Sequence, residues 1–206
     1  IEHFIKLIES NLNKHGLPIM RIGKGKDSHN GMIGPAWILQ ALNNIYSLYM
    51  KNDYELGDDI SKRISKIGYS LCKKVQKIYN LDCNQKNYNL NLIENTMNHQ
   101  LWLLVESYIF FQNYSAESSE KKIIKNFLID FISNEIKFNI KGTLKHHLKR
   151  FHFKEFIKRL IYPDYRKNMV SKEFSYHYFS LVSLSRLYSY TKDNNIKKIS
   201  QKIIKE

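Results

Sequence analysis

The stretch PAWILQALNNIYSLYM, Pro35–Met50, decides the fold. Proline at the first turn opens helices readily, because its fixed φ suits that turn and the N–H it lacks would have had no partner there. The residues after it are apolar nearly all round: Trp37, Ile38, Leu39, Ala41, Leu42, Ile45, Tyr46, Leu48 and Tyr49 leave no broad polar stripe. A helix of that kind is buried by other helices. Beyond Asn52-Asp53 the character changes. Glu55–Tyr79 is Lys-rich and amphipathic, which reads as an outer helix with one wet face.

The same alternation recurs along the chain. Leu81–Asn95 is a polar, Asn-rich loop, Asn98–Asn113 a second apolar helix, and Ser119–Lys137 a second amphipathic one. Phe138–Val170 is a long connection, with a short helix expected at Phe153–Ile161. Glu173–Tyr190 reads as a third apolar helix and Asn195–Lys205 as a third amphipathic one. Before all of these, Ile1–Asn13 carries a helical stripe of Ile1, Phe4, Ile5, Ile8 and Leu12, which Gly16 and Pro18 end. Met20–Asn30, rich in glycine and polar residues, reads as a loop.

The repeated unit is a long loop, a buried helix, a tight turn and an amphipathic helix, with an irregular period of roughly 60–80 residues that no short solenoid repeat matches. Alternation of this kind predicts an all-α fold in which buried helices form an inner wall and amphipathic ones an outer wall, an α/α toroid of helical hairpins. About three and a half hairpins are visible. Since the chain starts at Ile1, inside a helical pattern, residues 1–206 read as a single toroid domain or as the C-terminal part of one. An ordinary helical bundle is the competing arrangement. Long loops that precede the buried helices, never the amphipathic ones, favour the ring.

Composition narrows the function classes. With 43% hydrophobic residues the chain is neither disordered nor fibrous, and 3 Pro and 8 Gly suit long helices. The net charge of +14 suits an acidic polymer, but the lysines are spread over polar helix faces and do not interleave with aromatics on a sheet, which argues against nucleic acid. Cys72 and Cys83 form no zinc-type cluster and read as free thiols in a reducing, cytoplasmic setting. No apolar run approaches the roughly 20 residues that span a bilayer. Nothing calls for a cofactor or a metal, and no GxSxG, HExxH, P-loop or dinucleotide fingerprint is present. The oligomeric state is not legible.

Polar chemistry gathers at three equivalent places, each before or in the first turns of an expected buried helix. They are Asp27-Ser28-His29-Asn30-Gly31 with Trp37; Asn98-His99-Gln100-Leu101-Trp102; and Lys172-Glu173-Phe174-Ser175-Tyr176-His177-Tyr178. First turns leave backbone N–H groups unpaired, so polar side chains collect there as caps. A single histidine at such a place reads most simply as a cap or a satisfied structural residue, and Trp37 and Trp102 read equally as core. Recurrence at all three favours a shared site. Amides and imidazoles bind hydroxyls directionally, flat indole and phenol faces cover sugar C–H surfaces, and a carboxylate with imidazoles can move protons. Glu173, His177 and His99 are therefore the catalytic candidates. His29, Asn30, Trp37, Asn98, Gln100, Trp102 and Tyr176 are the candidate sugar contacts. His147, in the basic loop, is one more, within reach of an anionic sugar if that loop covers the mouth.

The segments HNGMIGPAWILQAL (His29–Leu42), NHQLWLLVESYIFF (Asn98–Phe111) and KEFSYHYFSLVSLSRLY (Lys172–Tyr188) resemble the motifs of an uncharacterised α/α-toroid family found in bacterial polysaccharide-biosynthesis gene clusters. That family is related to six-hairpin glycosidase-like hydrolases, lyases and epimerases. The likeness runs in order along most of the chain, while the linking segments carry none of it. It implies a helical toroid that acts on a sugar or surface polysaccharide by hydrolysis, elimination or epimerisation, with the motif residues named above at its site. Toroid hydrolases often use two carboxylates; here Glu173 is the clear one and Asp27 the weaker second. The alternatives are a non-catalytic helical scaffold or glycan-binding module, and a lanthionine-cyclase-like toroid, which would need zinc that Cys72 and Cys83, outside the histidine clusters, do not suit.

Overall fold

The computed structural model describes residues 1–12, 18–19, 32–52, 56–79, 97–114, 119–138, 143–144, 157 and 160–205. These are all-helical apart from two isolated bridges, Leu12 with Pro18 and Phe138 with Leu144. The helices are α1 (Glu2–Ser10), α2 (Ile33–Lys51), α3 (Asp58–Tyr79), α4 (Met97–Tyr114), α5 (Ser119–Asn134), α6 (Pro163–Tyr190) and α7 (Asn194–Lys205). None is long and apolar enough to cross a membrane.

Three of them run the same way. Asn43 and Tyr46 of α2 meet Glu106 and Tyr114 of α4. His99, Trp102 and Glu106 of α4 meet Tyr176, Phe179 and Arg186 of α6, in the same order. The amphipathic helices return antiparallel against them. Cys72, Tyr69 and Gly68 of α3 pack on Ser107, Phe111 and Phe110 of α4 in reverse order. Tyr69 reaches α5 by a 2.8 Å hydrogen bond to Glu120, and Arg63 reaches α1 through Glu9 at 2.6 Å.

α4 is the central helix. It packs on α2, α3, α5 and α6, so every residue from Leu101 to Phe111 is buried. That is why its sequence has no polar stripe: there is no solvent side to fill. The amphipathic helices behave oppositely. α7 buries Ile196, Ser200 and Ile203 at helical spacing and leaves its lysines in water.

Two expectations need correction. The third apolar helix does not begin at Glu173. It begins at Pro163, inside the stretch that reads as a long connection. Tyr162 is extended (φ −118°, ψ 98°), as a residue before proline must be, and Pro163 supplies the first turn. The polar, basic residues of its first turns hid this helix from a reading by apolar period. Nor is this helix buried all round. Tyr178, Phe179 and Tyr188 are exposed, because α6 lies at one edge of the parallel set. The short helix expected at Phe153–Ile161 falls largely outside the described residues.

Candidate functional site

The start of α4 lies beside a turn of α6. The His99 and Tyr176 rings meet edge to face at 6.4 Å between centroids, and Trp102 lies against Phe179 at 5.5 Å, tilted by 35°. Counting back from that level, α6 extends about three turns beyond the start of α4, roughly 15 Å at 1.5 Å per residue. Glu173, Tyr176 and His177 therefore sit well inside α6 and not at its N-terminus. The second and third polar clusters come together as one helix start against the middle of another helix, not as two helix starts.

Burial separates the predicted residues. Asn98 is 1% exposed, Gln100 is fully buried and Trp102 is 6% exposed. His99, Tyr176 and His177 are half-buried. Trp37, on the first turns of α2, is 43% exposed and offers an open indole face. His29, Asn30, Asp27 and His147 lie outside the described residues, and so does the Glu173 side chain, although its backbone is part of α6.

His177 has a defined state. The backbone N–H of Leu144 donates to its Nδ1 at 3.1 Å. An imidazole that accepts at Nδ1 is neutral and carries its proton on Nε2. Burial pushes its pKa below the ordinary value in the same direction. The bridge between Phe138 and Leu144 holds the donor in place. His177 therefore presents an N–H donor from its far side.

Asn98 and Trp102 are one helical turn apart and share a face of α4. Asn98 Oδ1, an acceptor, and Trp102 Nε1, a donor, are buried and find no hydrogen-bond partner among the described residues. Leaving each unmet costs about 1–3 kcal/mol, so a bound hydroxylic group or water is expected at such a place. A hydroxyl carries both complementary functions, an acceptor for an indole N–H and a donor for an amide oxygen.

One turn further along the same stripe is Glu106, fully buried. Arg186 Nε and Nη2 donate to its two carboxylate oxygens at 2.5 and 3.0 Å, and Asn43 Nδ2 donates at 2.9 Å. Arg186 also reaches Asn44 Oδ1 at 3.2 Å and lies over the Tyr190 ring. Burial opposes the charge on Arg186, but the Glu106 carboxylate outweighs it and raises the guanidinium pKa. Sequence reasoning missed this network. Its signal was a lone Glu and a lone Arg in otherwise apolar helix stretches, VESYIFF and SLSRLY. With its oxygens already taken, Glu106 ties α2, α4 and α6 together beneath the Asn98–Trp102 level.

Among the described residues no group of His, Cys, Asp and Glu is arranged to hold a metal ion. The chain matches no known protein family, no curated protein and no solved structure.

Proposed function

We propose that the chain is a carbohydrate-acting protein whose sugar contacts gather where the start of α4 faces α6, with the helices arranged as hairpins of an α/α toroid. One observation carries this reading: a buried acceptor on Asn98 and a buried donor on Trp102, one turn apart and both unmet among the described residues, are groups that hydroxyls satisfy. Polyhydroxy ligands supply such groups in number. The half-buried His99–Tyr176 pair and the open face of Trp37 add the polar and flat surfaces that sugars use. The toroid arrangement draws support from the three parallel inner helices with antiparallel helices returning over them, and from the resemblance of the three motifs. The reaction is hydrolysis, elimination or epimerisation, on a sugar or a surface polysaccharide suited by the +14 charge to carry acidic groups. His99 and Glu173 are the proton-transfer candidates, and His177 contributes through its Nε2–H.

Replacing His99 by Ala and Glu173 by Gln, singly and in the full chain, tests the assignment. Loss of a proton-transfer group lowers turnover by roughly 10²–10⁴-fold. Unchanged turnover and unchanged glycan binding in both variants remove these residues from the site.

A second reading has its own observation. Asn98 and Gln100 are buried, and buried amides suit a packed, non-catalytic glycan-binding or scaffold module. Saturable glycan binding with no turnover on any bound glycan selects it.

A further inference from the structure

The backbone at Leu144 is joined to α6 by a titratable group. Leu144 is 1% exposed, so its N–H needs an acceptor inside the fold. A backbone carbonyl usually fills that role and keeps its lone pairs at any ordinary pH. Here the acceptor is Nδ1 of His177, at 3.1 Å. An imidazole accepts at Nδ1 only while it is neutral, and in the imidazolium both ring nitrogens are donors. Protonation therefore sets one N–H against another across this contact.

The residues on either side of the contact are ordered. Leu144 belongs to the hydrophobic core and bridges to Phe138, which follows α5 and packs against the same core. Tyr176, next to His177 on α6, carries the ring that meets His99, so the contact borders that pair. The titratable groups of the neighbouring elements are His99 on α4, Glu135 and Lys137 before the bridge, and Lys202 and Lys205 in the last turn of α7. None of them shifts His177, whose lowered pKa has burial as its one cause. Lys145 and His146, which follow Leu144, lie outside the described residues, as does the side chain of Glu173.

We propose that the Leu144–His177 hydrogen bond is a pH-operated latch: neutral His177 holds Leu144 on α6, and the imidazolium releases it while the helical core stays folded. The latch is closed at neutral pH and opens as the pH falls below 6.5, the ordinary imidazole value, toward the lower value that burial imposes. It differs from a change in overall stability, because the opening is local. The inference stands whether or not the chain acts on sugars.

Amide hydrogen exchange of the full chain, at about pH 7.5 and about pH 5 and corrected for the intrinsic exchange rates, tests it. The reference amide is Leu104, buried in the middle of α4. In the parent, protection at Leu144 should fall about tenfold on acidification, as for one lost hydrogen bond, while protection at Leu104 holds. His177→Gln keeps an acceptor that does not titrate, so Leu144 should stay protected at both pH values. The imidazole ¹⁵N signals of the parent supply a second readout that needs no variant: His177 should carry its proton on Nε2 at pH 7.5, and its titration should run in step with exchange at Leu144. Titration of His177 with no change at Leu144 overturns the inference. So does protection at Leu144 that falls only together with Leu104, or that falls as far in His177→Gln as in the parent.

Discussion

Arg186 grips Glu106 with two parallel hydrogen bonds, 2.5 and 3.0 Å long, across the interface of α4 and α6. The fork geometry of guanidinium matches a carboxylate, and here the carboxylate end is fully buried. Asn43 adds a donor from α2, so three helices distant in sequence are tied at one point. Such a pair contributes less to net stability than its strength suggests, because both charges had to leave water. Its effect is registry.

Breaking one side is therefore costly and replacing both sides is not. Arg186→Leu strands a buried carboxylate and should destabilise by about 3–5 kcal/mol. The double change Glu106→Leu with Arg186→Met should cost clearly less than the single one. Urea unfolding of the single and double variants checks this. Equal losses in the two would mean that the pair is held for packing alone.

The neutral state of His177 gives a pH dependence with a definite sign. Its folded pKa lies below the ordinary value of 6.5, so below 6.5 the unfolded chain binds more protons than the folded one. Its contribution to stability is full above 6.5 and is lost as the pH falls from there through the lower folded value. His177→Gln keeps an acceptor for the Leu144 N–H but does not titrate. Comparing urea midpoints of parent and variant at about pH 7.5 and about pH 5 isolates the contribution, and the parent should lose more on acidification.

Asp193 has two tasks that substitution separates. Its Oδ1 caps α7 and its Oδ2 meets Lys125, whose ammonium holds the carboxyl below its usual pKa. Asp193→Ala should cost about 1 kcal/mol through loss of the cap. Asp193→Asn keeps the cap and should cost less, since the partly exposed ion pair is worth little. For the parent, the ionic part is present above the ordinary carboxyl pKa of 3.8 and is lost as the pH falls through the lower folded value. Thermal melts of the two variants rank them.

Gly68 reverses a usual rule. In a helix interior, Gly→Ala normally gains about 1 kcal/mol. Here a Cβ would collide with the Phe110 ring of the central helix. Gly68→Ala should destabilise, by about 1–3 kcal/mol. Gly68→Ala combined with Phe110→Leu should recover part of the loss in a denaturant melt.

How much of this the chain announced depends on the kind of interaction. α4 was legible because Asn98–Asn113 is apolar on every side and is buried by its neighbours, and α2 was legible as a helix from Pro35–Met50, although its Trp37, Leu48 and Met50 are exposed and it is not buried all round. α3, α5 and α7 were legible from single stripes, such as Ile196 and Ile203 over a lysine-rich remainder. The start of α6 at Pro163 was not, because its first turns are polar and basic and mimic a loop. The Glu106–Arg186 pair was not, because it joins residues 80 apart, and no local period reports such a contact. The register in which His99 meets Tyr176 was not legible, because the sequence reading put both clusters at helix starts, whereas Tyr176 stands about three turns inside α6. The burial of Asn98 and Gln100 was not, because caps and core amides look alike in sequence.

The two tryptophans make the central claim directly measurable, since a ¹⁵N–¹H spectrum shows one indole N–H signal for Trp37 and one for Trp102. Titration with short neutral, uronate-containing and sialylated oligosaccharides should move the Trp102 signal saturably for at least one of them, and Asn98→Leu should weaken that response about tenfold, by the loss of one hydrogen-bonded partner. A Trp102 signal unmoved by every oligosaccharide in the series would contradict the account and leave its N–H an internal feature of the core.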